Sequence, residues 1–289
     1  MQTNRRTFIQ QASLLSAGLL VKPSLSPKYH KQVGLQLYTV REQIAKDVKG
    51  VIAKVAKAGY TNVEPSGYTR TNLFWGLEPK AFKAILGENN LTTTSGLYGI
   101  DIGGEQNFDE LKHYADVANL LGEKYVVIPW IYEQFRKTVD DWKTLAHKMN
   151  KAGEVMKAAE IKLAYHNHNF EFTDMGDGQT GYDLMLSLTD PELVKMEMDI
   201  YWVVNGGADP VALFNKYPGR FSLFHVKDMD KNNRNLNTEV GTGTIDFVKI
   251  FANAKLAGLD YAFVEQENFS INYYESITKS AAYLKNLLK

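Results

Sequence analysis

The chain has 289 residues, and its 33 basic and 33 acidic side chains leave no net charge. It is long enough for one large α/β barrel or two ordinary domains, and it sets up no field that would favour nucleic acid, an anionic membrane or a strongly acidic partner. It has no cysteine, which excludes disulfides, thiolate metal sites and cysteine nucleophiles, so any metal must be held by His, Asp or Glu.

The first segment reads as a leader. "NRRTFIQQASLLSAGLLV" places Arg5 and Arg6 ahead of Thr7, Phe8, Ile9 and a mildly apolar run to Val21. The pattern resembles a bacterial twin-arginine (Tat) export signal, and the run is too short and too rich in Ser, Gly and Gln to span a bilayer. Residues 1–30 are therefore assigned to the leader and 31–289 to the fold. The expected location is the periplasm, reached by an already folded chain, with no membrane contact beyond export.

From Val33 onward, short β-branched or aromatic runs alternate with longer amphipathic segments. Eight strands are predicted: "VGLQLYTV" at Val33, "TNVEPSG" at Thr61, "LTTTSGLYG" at Leu91, "KYVVIPW" at Lys124, "KLAYHNH" at Lys162, "VKMEMDIYW" at Val194, "FSLFHVKD" at Phe221 and "YAFVEQE" at Tyr261. Helices are predicted from Arg41 to Ala58, Glu78 to Leu86, Phe108 to Leu121 and Thr138 to Glu160, the first three ending at Gly59, Gly87 and Gly122. Asp209 and Pro210 open a further helix, "GTIDFVKIFANAKLAG" forms another, and Ile271 to Leu288 closes the chain. The spacing matches a single-domain (β/α)8, or TIM, barrel. An open doubly wound sheet would want a glycine-rich phosphate loop after the first strand, where this chain runs "TVREQ".

In such barrels the chemistry sits at the C-terminal ends of the strands. Those ends carry Gln36 and Tyr38, then Glu64, His166 and His168, Asp199, His225 and Lys227, and Glu265 and Glu267. Asp199, His225 and Glu265 each arrive at the end of a largely apolar strand, where an ionised or imidazole group needs a partner. Three successive strands thus deliver a metal-ligand type at one height, and His166 on the preceding strand supplies a fourth. His168, one step further out on the same face, is placed to contact substrate or to support a ligand from behind. The set suits one divalent ion, Mn²⁺ or Co²⁺ ahead of Zn²⁺ or Fe²⁺, since catalytic zinc usually keeps fewer protein ligands. His30, His113 and His147 fall in the leader or on helices and are read as surface residues.

The motifs "GLQLYTVRE", "GYTNVEPSG", "YHNHNFEF", "MDIYW", "FHVKD", "GTGTIDF" and "FVEQE" resemble the xylose isomerase-like barrel superfamily of sugar isomerases and epimerases, over nearly all of Val33 to Lys289. The resemblance implies a divalent ion on His166, Asp199, His225 and Glu265, with Glu265 also serving as base and Glu64, His168, Lys227 and Glu267 in reserve. Two positions depart from the epimerase branch: His166 stands where that branch has a glutamate serving as ligand and base, and Trp202 where it has a histidine.

The expected function is a metal-dependent isomerase or epimerase that acts on a keto-sugar or keto-glycoside through an enediolate. A lyase acting by β-elimination on a 3-keto-glycoside or inosose-like substrate is the alternative, and a non-catalytic periplasmic sugar-binding module is a second one. Trp75 and Trp130, which follow strand ends, are expected to stack on a sugar ring, with Gln36, Tyr38, Trp202 and Glu267 completing the substrate site. The DNA-repair endonucleases of the same superfamily are disfavoured, because strands three and four end in "SGLYG" and "IPW" without further ligands. A small carbohydrate is the expected partner, and the sequence leaves a homo-oligomer open.

Overall fold

A computed structural model describes residues 30–176 and 178–289. The leader predicted for residues 1–30 lies outside them except for His30, whose ring stacks on Tyr261 at 4.5 Å. The barrel strands are β1 (Gly34–Gln36), β2 (Asn62–Glu64), β3 (Ser95–Tyr98), β4 (Tyr125–Ile128), β5 (Lys162–His166), β6 (Val194–Asp199), β7 (Phe221–Val226) and β8 (Tyr261–Val264). Neighbours pair in parallel from β3 through β8 to β1 and β2. Thr92–Thr93 pairs with β2, and only Thr94 separates it from β3. The two form one interrupted strand, which closes the ring of eight.

The main helices around it are α1 (Val48–Lys57), α2 (Pro79–Glu88), α3 (Phe108–Leu121), α4 (Val139–Ala158), α5 (Gly181–Leu188), α6 (Pro210–Lys216), α7 (Phe247–Ala252) and α8 (Tyr273–Leu287). Their ends follow capping chemistry. Thr138 and Asp141 form a reciprocal capping box at α4, and Gly122 takes φ 91° just past α3. Gly87, predicted to end its helix, lies inside α2, which continues to Glu88. α5 was not singled out from the sequence.

Several predicted strands stop short because a polar side chain turns the backbone. β1 ends where the Gln36 side-chain oxygen Oε1 accepts from the Tyr38 N–H at 2.9 Å and starts a 3-10 turn. β6 ends where Asp199 caps the short helix Ile200–Asn205, accepting from the Trp202 N–H at 3.0 Å. Both turns occur at the barrel mouth, so the side chains that bend the chain are also presented there.

The alternation of side chains along each strand divides the barrel into layers. A lower lumen layer is apolar and includes Leu97, Tyr125, Val127, Ala164, Leu223 and Phe263. Two residues further on, within β7 and just past the end of β8, the inward positions become His225 and Glu265. The same change occurs on β5 between Ala164 and His166. A barrel interior is normally filled by branched apolar side chains, so this polar upper layer calls for its own explanation.

Candidate metal centre

His166, Asp199, His225 and Glu265 are all buried, and each offers a ligand atom within 4.8 Å of the other three. Cross-strand register brings them together: Glu197 of β6 lies beside His166 of β5, and Asp199 lies beside His225 of β7. One oxygen of Asp199 is used by the Trp202 N–H, while the other, Oδ2, is buried and has no hydrogen-bond partner among the described residues. Its nearest cation is the Lys227 ammonium at 3.8 Å. A buried carboxylate oxygen without a partner is costly, and the mixed imidazole and carboxylate set around it is what a hard-to-borderline divalent ion binds.

The charges within this layer are strongly coupled. Burial pushes Asp199 up to about 7, with Glu265 adding to the rise and Lys227 opposing it. Burial also acts on Glu265, but Lys227 and the hydrogen bond with His225 outweigh it and hold that carboxyl well below its usual range. Burial lowers His225, yet the carboxylates of Glu197 and Glu64 and the bond to Glu265 raise it well above an ordinary histidine. His166 goes the other way, lowered by burial and by His225 and His168. Lys227 stays charged because Glu265, Asp199 and Glu267 offset its burial.

Above the four groups opens a cavity of about 390 Å³, within the usual size range of small-molecule sites. Its walls include Tyr38, Trp130, Trp202, His168, Lys227 and Glu267. Trp130 is 40 % exposed and meets the His168 ring edge-on at 4.5 Å. Lys227 pairs with Glu267 and lies 3.6 Å from Glu265. Burial and Lys227 hold His168 down at about 3, so its imidazole is neutral, and its Nδ1 is buried with no partner among the described residues. The backbone N–H of His168 is fixed by Glu171, which also accepts from Tyr165.

Three sequence-predicted site residues lie elsewhere. Gln36 and Glu64 are fully buried below the cavity: Gln36 donates to Glu64 at 2.8 Å, and Glu64 accepts from His225 Nε2 at 2.6 Å. Glu64 supports an imidazole and does not face substrate. Trp75 has φ 51° in the turn bridged by Phe74 and Leu77, and its ring packs against Phe82 at 6.0 Å. That turn directs the indole to α2 and away from the cavity. His113, read as a surface residue, is half-buried and bonded to the Tyr68 hydroxyl at 3.1 Å.

Glu197 is not among the residues expected from the sequence. It is fully buried, and its Oε2 lies 3.1 Å from His166 Nδ1 and 3.2 Å from His225 Nε2. Burial and the Glu64 carboxylate raise it well above an ordinary glutamate. Its position two residues before Asp199 on a strand was the available signal, since that spacing puts both on the lumen face. Asp228 also gains a role. It is buried and accepts the backbone N–H groups of Met229, Gly241, Gly243 and Ile245. This ties "FHVKD" to "GTGTIDF": one carboxylate holds the loop after β7 against the barrel.

The sequence profile described as xylose isomerase-like TIM barrel matches residues 52–287. An inosose dehydratase of Geobacillus kaustophilus is 24 % identical, over 73 % of this chain and 76 % of its own length. Another inosose dehydratase, of Clostridium botulinum, is 26 % identical over 81 % and 87 %. The solved structure of a sugar phosphate isomerase/epimerase from Parabacteroides distasonis superimposes with a TM-score of 0.77 at 28 % identity, covering 92 % of this chain and 98 % of that one.

Proposed function

Since the chain belongs to the family of xylose isomerase-like TIM barrels, we propose that it is a divalent-metal-dependent isomerase or epimerase that removes the proton beside the carbonyl of a keto-sugar or keto-glycoside. The observation that carries this reading is the unpartnered Oδ2 of Asp199, set among His166, His225 and Glu265 at the floor of a cavity walled by Trp130 and Trp202. His166, Asp199, His225 and Glu265 would hold the ion, with manganese or cobalt favoured. Bound there, it supplies a Lewis acid for a ketone oxygen and the neighbouring hydroxyl.

The chain's own groups do the rest. Glu265, held ionised by Lys227, takes the proton. Lys227, paired with Glu267, donates a hydrogen bond to a substrate oxygen where charge develops. His168, neutral and with an Nδ1 that has no partner among the described residues, receives a proton or hydrogen-bonds a substrate oxygen from the strand-five side. Trp130, Trp202 and Tyr38 stack on the ring and keep water out. None of the wall residues named above is an arginine, which favours an uncharged sugar over a phosphate ester.

One observation favours β-elimination as a second reading: the strand-five side presents a neutral imidazole instead of a second carboxylate, so proton return to the opposite face is weakly served. Elimination needs one base and one acid for the departing oxygen, and Glu265 with the charged Lys227 fills those roles. Two relatives named inosose dehydratase support the same reading. Export to the periplasm is part of the proposal and rests on Arg5, Arg6 and the apolar run behind them.

The test is to incubate the Mn²⁺-loaded protein with keto-sugars and keto-glycosides in D₂O and follow them by NMR. Deuterium uptake beside the carbonyl is expected and should fall roughly 10²- to 10⁴-fold in Glu265→Gln. The product then separates isomerase from lyase. Unchanged ligand binding with no exchange by either form would establish a binding module instead.

A further inference from the structure

We propose that Glu197 is the positioning residue for both imidazoles of the candidate metal centre, an inference that rests on the metal-centre reading of the site. One oxygen, Oε2, lies 3.1 Å from His166 Nδ1 and 3.2 Å from His225 Nε2, between two rings whose centroids are 4.5 Å apart. Oε2 is an acceptor whether Glu197 is ionised or carries a proton on its other oxygen, Oε1, and as an acceptor it takes a ring N–H from each imidazole. His166 therefore carries its hydrogen on Nδ1 and turns a bare Nε2 to the ligand group. His225 commits Nε2 downward, which leaves Nδ1 on the Glu265 side, where Oε2 of Glu265 lies at 3.0 Å. Each ring is thus oriented by what it bonds on its far side.

The two supports are unequal. His225 Nε2 has a second and closer partner, Glu64 at 2.6 Å, itself held by Gln36 and by the Ser95 hydroxyl. Among the described residues, His166 Nδ1 is bonded to Glu197 alone. Loss of Glu197 therefore frees His166 and leaves His225 held. The placement follows from strand pairing, since Glu197 is the register partner of His166 and shares the lumen face of β6 with Asp199. One strand supplies both a ligand and the support of its neighbour's ligand.

The experiment uses the full chain labelled with ¹⁵N in histidine. Long-range ¹H–¹⁵N correlation of the metal-free protein reads the tautomers, and calorimetric titration with MnCl₂ reads affinity. Wild type should show His166 with Nδ1 protonated and Nε2 bare, and Glu197→Leu should lose that preference while weakening Mn²⁺ binding by roughly 10- to 100-fold. Glu197→Gln, which keeps one acceptor oxygen, should recover most of the tautomer preference, and Glu64→Gln should leave His166 unchanged.

An Nε2-protonated His166 in wild type overturns the proposal even if no variant folds, and so does an unaltered His166 spectrum in Glu197→Leu. Two Mn²⁺ ions per chain would place a cation between Glu64, Glu197 and His225 Nε2 and overturn it as well. Wild-type tautomers as stated with no Mn²⁺ binding would remove the metal reading and leave the role of Glu197 standing.

Discussion

Glu123 should make the stability of this barrel fall as pH rises, and Glu123→Gln should abolish that part of the fall. The side chain is buried just before β4 and accepts from Thr93 Oγ1 at 2.8 Å and from the Tyr98 hydroxyl at 2.6 Å. Burial raises it from the ordinary 4.5 to about 8, the two hydroxyls offset only part of the rise, Glu64 adds to it, and no basic group is among its causes. The folded state holds its proton where the unfolded chain has lost it. This contribution is therefore fully present below about pH 4.5 and is lost progressively up to about pH 8. At 1.36 kcal/mol per pH unit, the full loss is roughly 5 kcal/mol, of which about 3 kcal/mol has gone by pH 7. Glutamine keeps the shape and carries no charge, and both hydroxyls can turn to donate or accept. Urea unfolding of both proteins from pH 4.5 to 8.5 is the assay. The curves should coincide at the acid end and diverge upward in favour of the variant. Parallel curves across the range would refute the reasoning.

Three other outcomes are expected. Trp130→Ala should raise KM several-fold and leave the unfolding midpoint nearly unchanged, whereas Trp75→Ala, whose ring packs on Phe82, should lower the midpoint and leave KM alone. Steady-state kinetics beside thermal melts separate the two. Asp228→Ala takes the acceptor from four backbone donors, one buried and three part-buried, and should cost about 3 kcal/mol in urea unfolding. Gly243→Ala should give a similar loss, because a Cβ there would stand 2.2 Å from the Met229 carbonyl oxygen. Adding Mn²⁺ at about a hundred times its dissociation constant should stabilise the chain by roughly 2.7 kcal/mol, read as a shift in melting temperature that EDTA reverses and that Asp199→Asn prevents.

Much of the ring of strands was legible in the sequence because strands such as β4, β7 and β8 are largely apolar runs, buried on both faces, that end at a turn residue or a charged group. Phe221–Val226 is buried throughout, and so is Tyr261–Val264. The polar groups that end these runs were legible for the same reason, which is why His166, Asp199, His225 and Glu265 could be named together. Glu197 was not, because its neighbours Met196 and Met198 make it one polar residue in an alternating strand, and only the pairing with β5 shows what it faces. Trp75 and Trp130 could not be told apart along the chain. Both follow strand ends, and the difference lies in a backbone turn at φ 51°.

A single irregularity decides how the upper layer is assembled. β6 and β7 pair Met196 with Phe221, but the next pair is Glu197 with Leu223, so Ser222 is skipped. Without that shift Asp199 would stand opposite Phe224, whose ring packs outward on Phe214 and Phe251. With it, Asp199 stands opposite His225 and Glu197 opposite Leu223, and all four side chains face the lumen. Side-chain direction alternates along a strand, so a one-residue slip would send both acids of β6 out of step with the inward positions of β7. The extra residue therefore puts Asp199, Glu197 and His225 within reach of one another, and the same register keeps Leu223 and Phe224 in their two separate cores. A bulge is the kind of device that re-aims side chains next to a functional site. Here the register that fills the barrel with apolar side chains also builds the candidate metal centre above them.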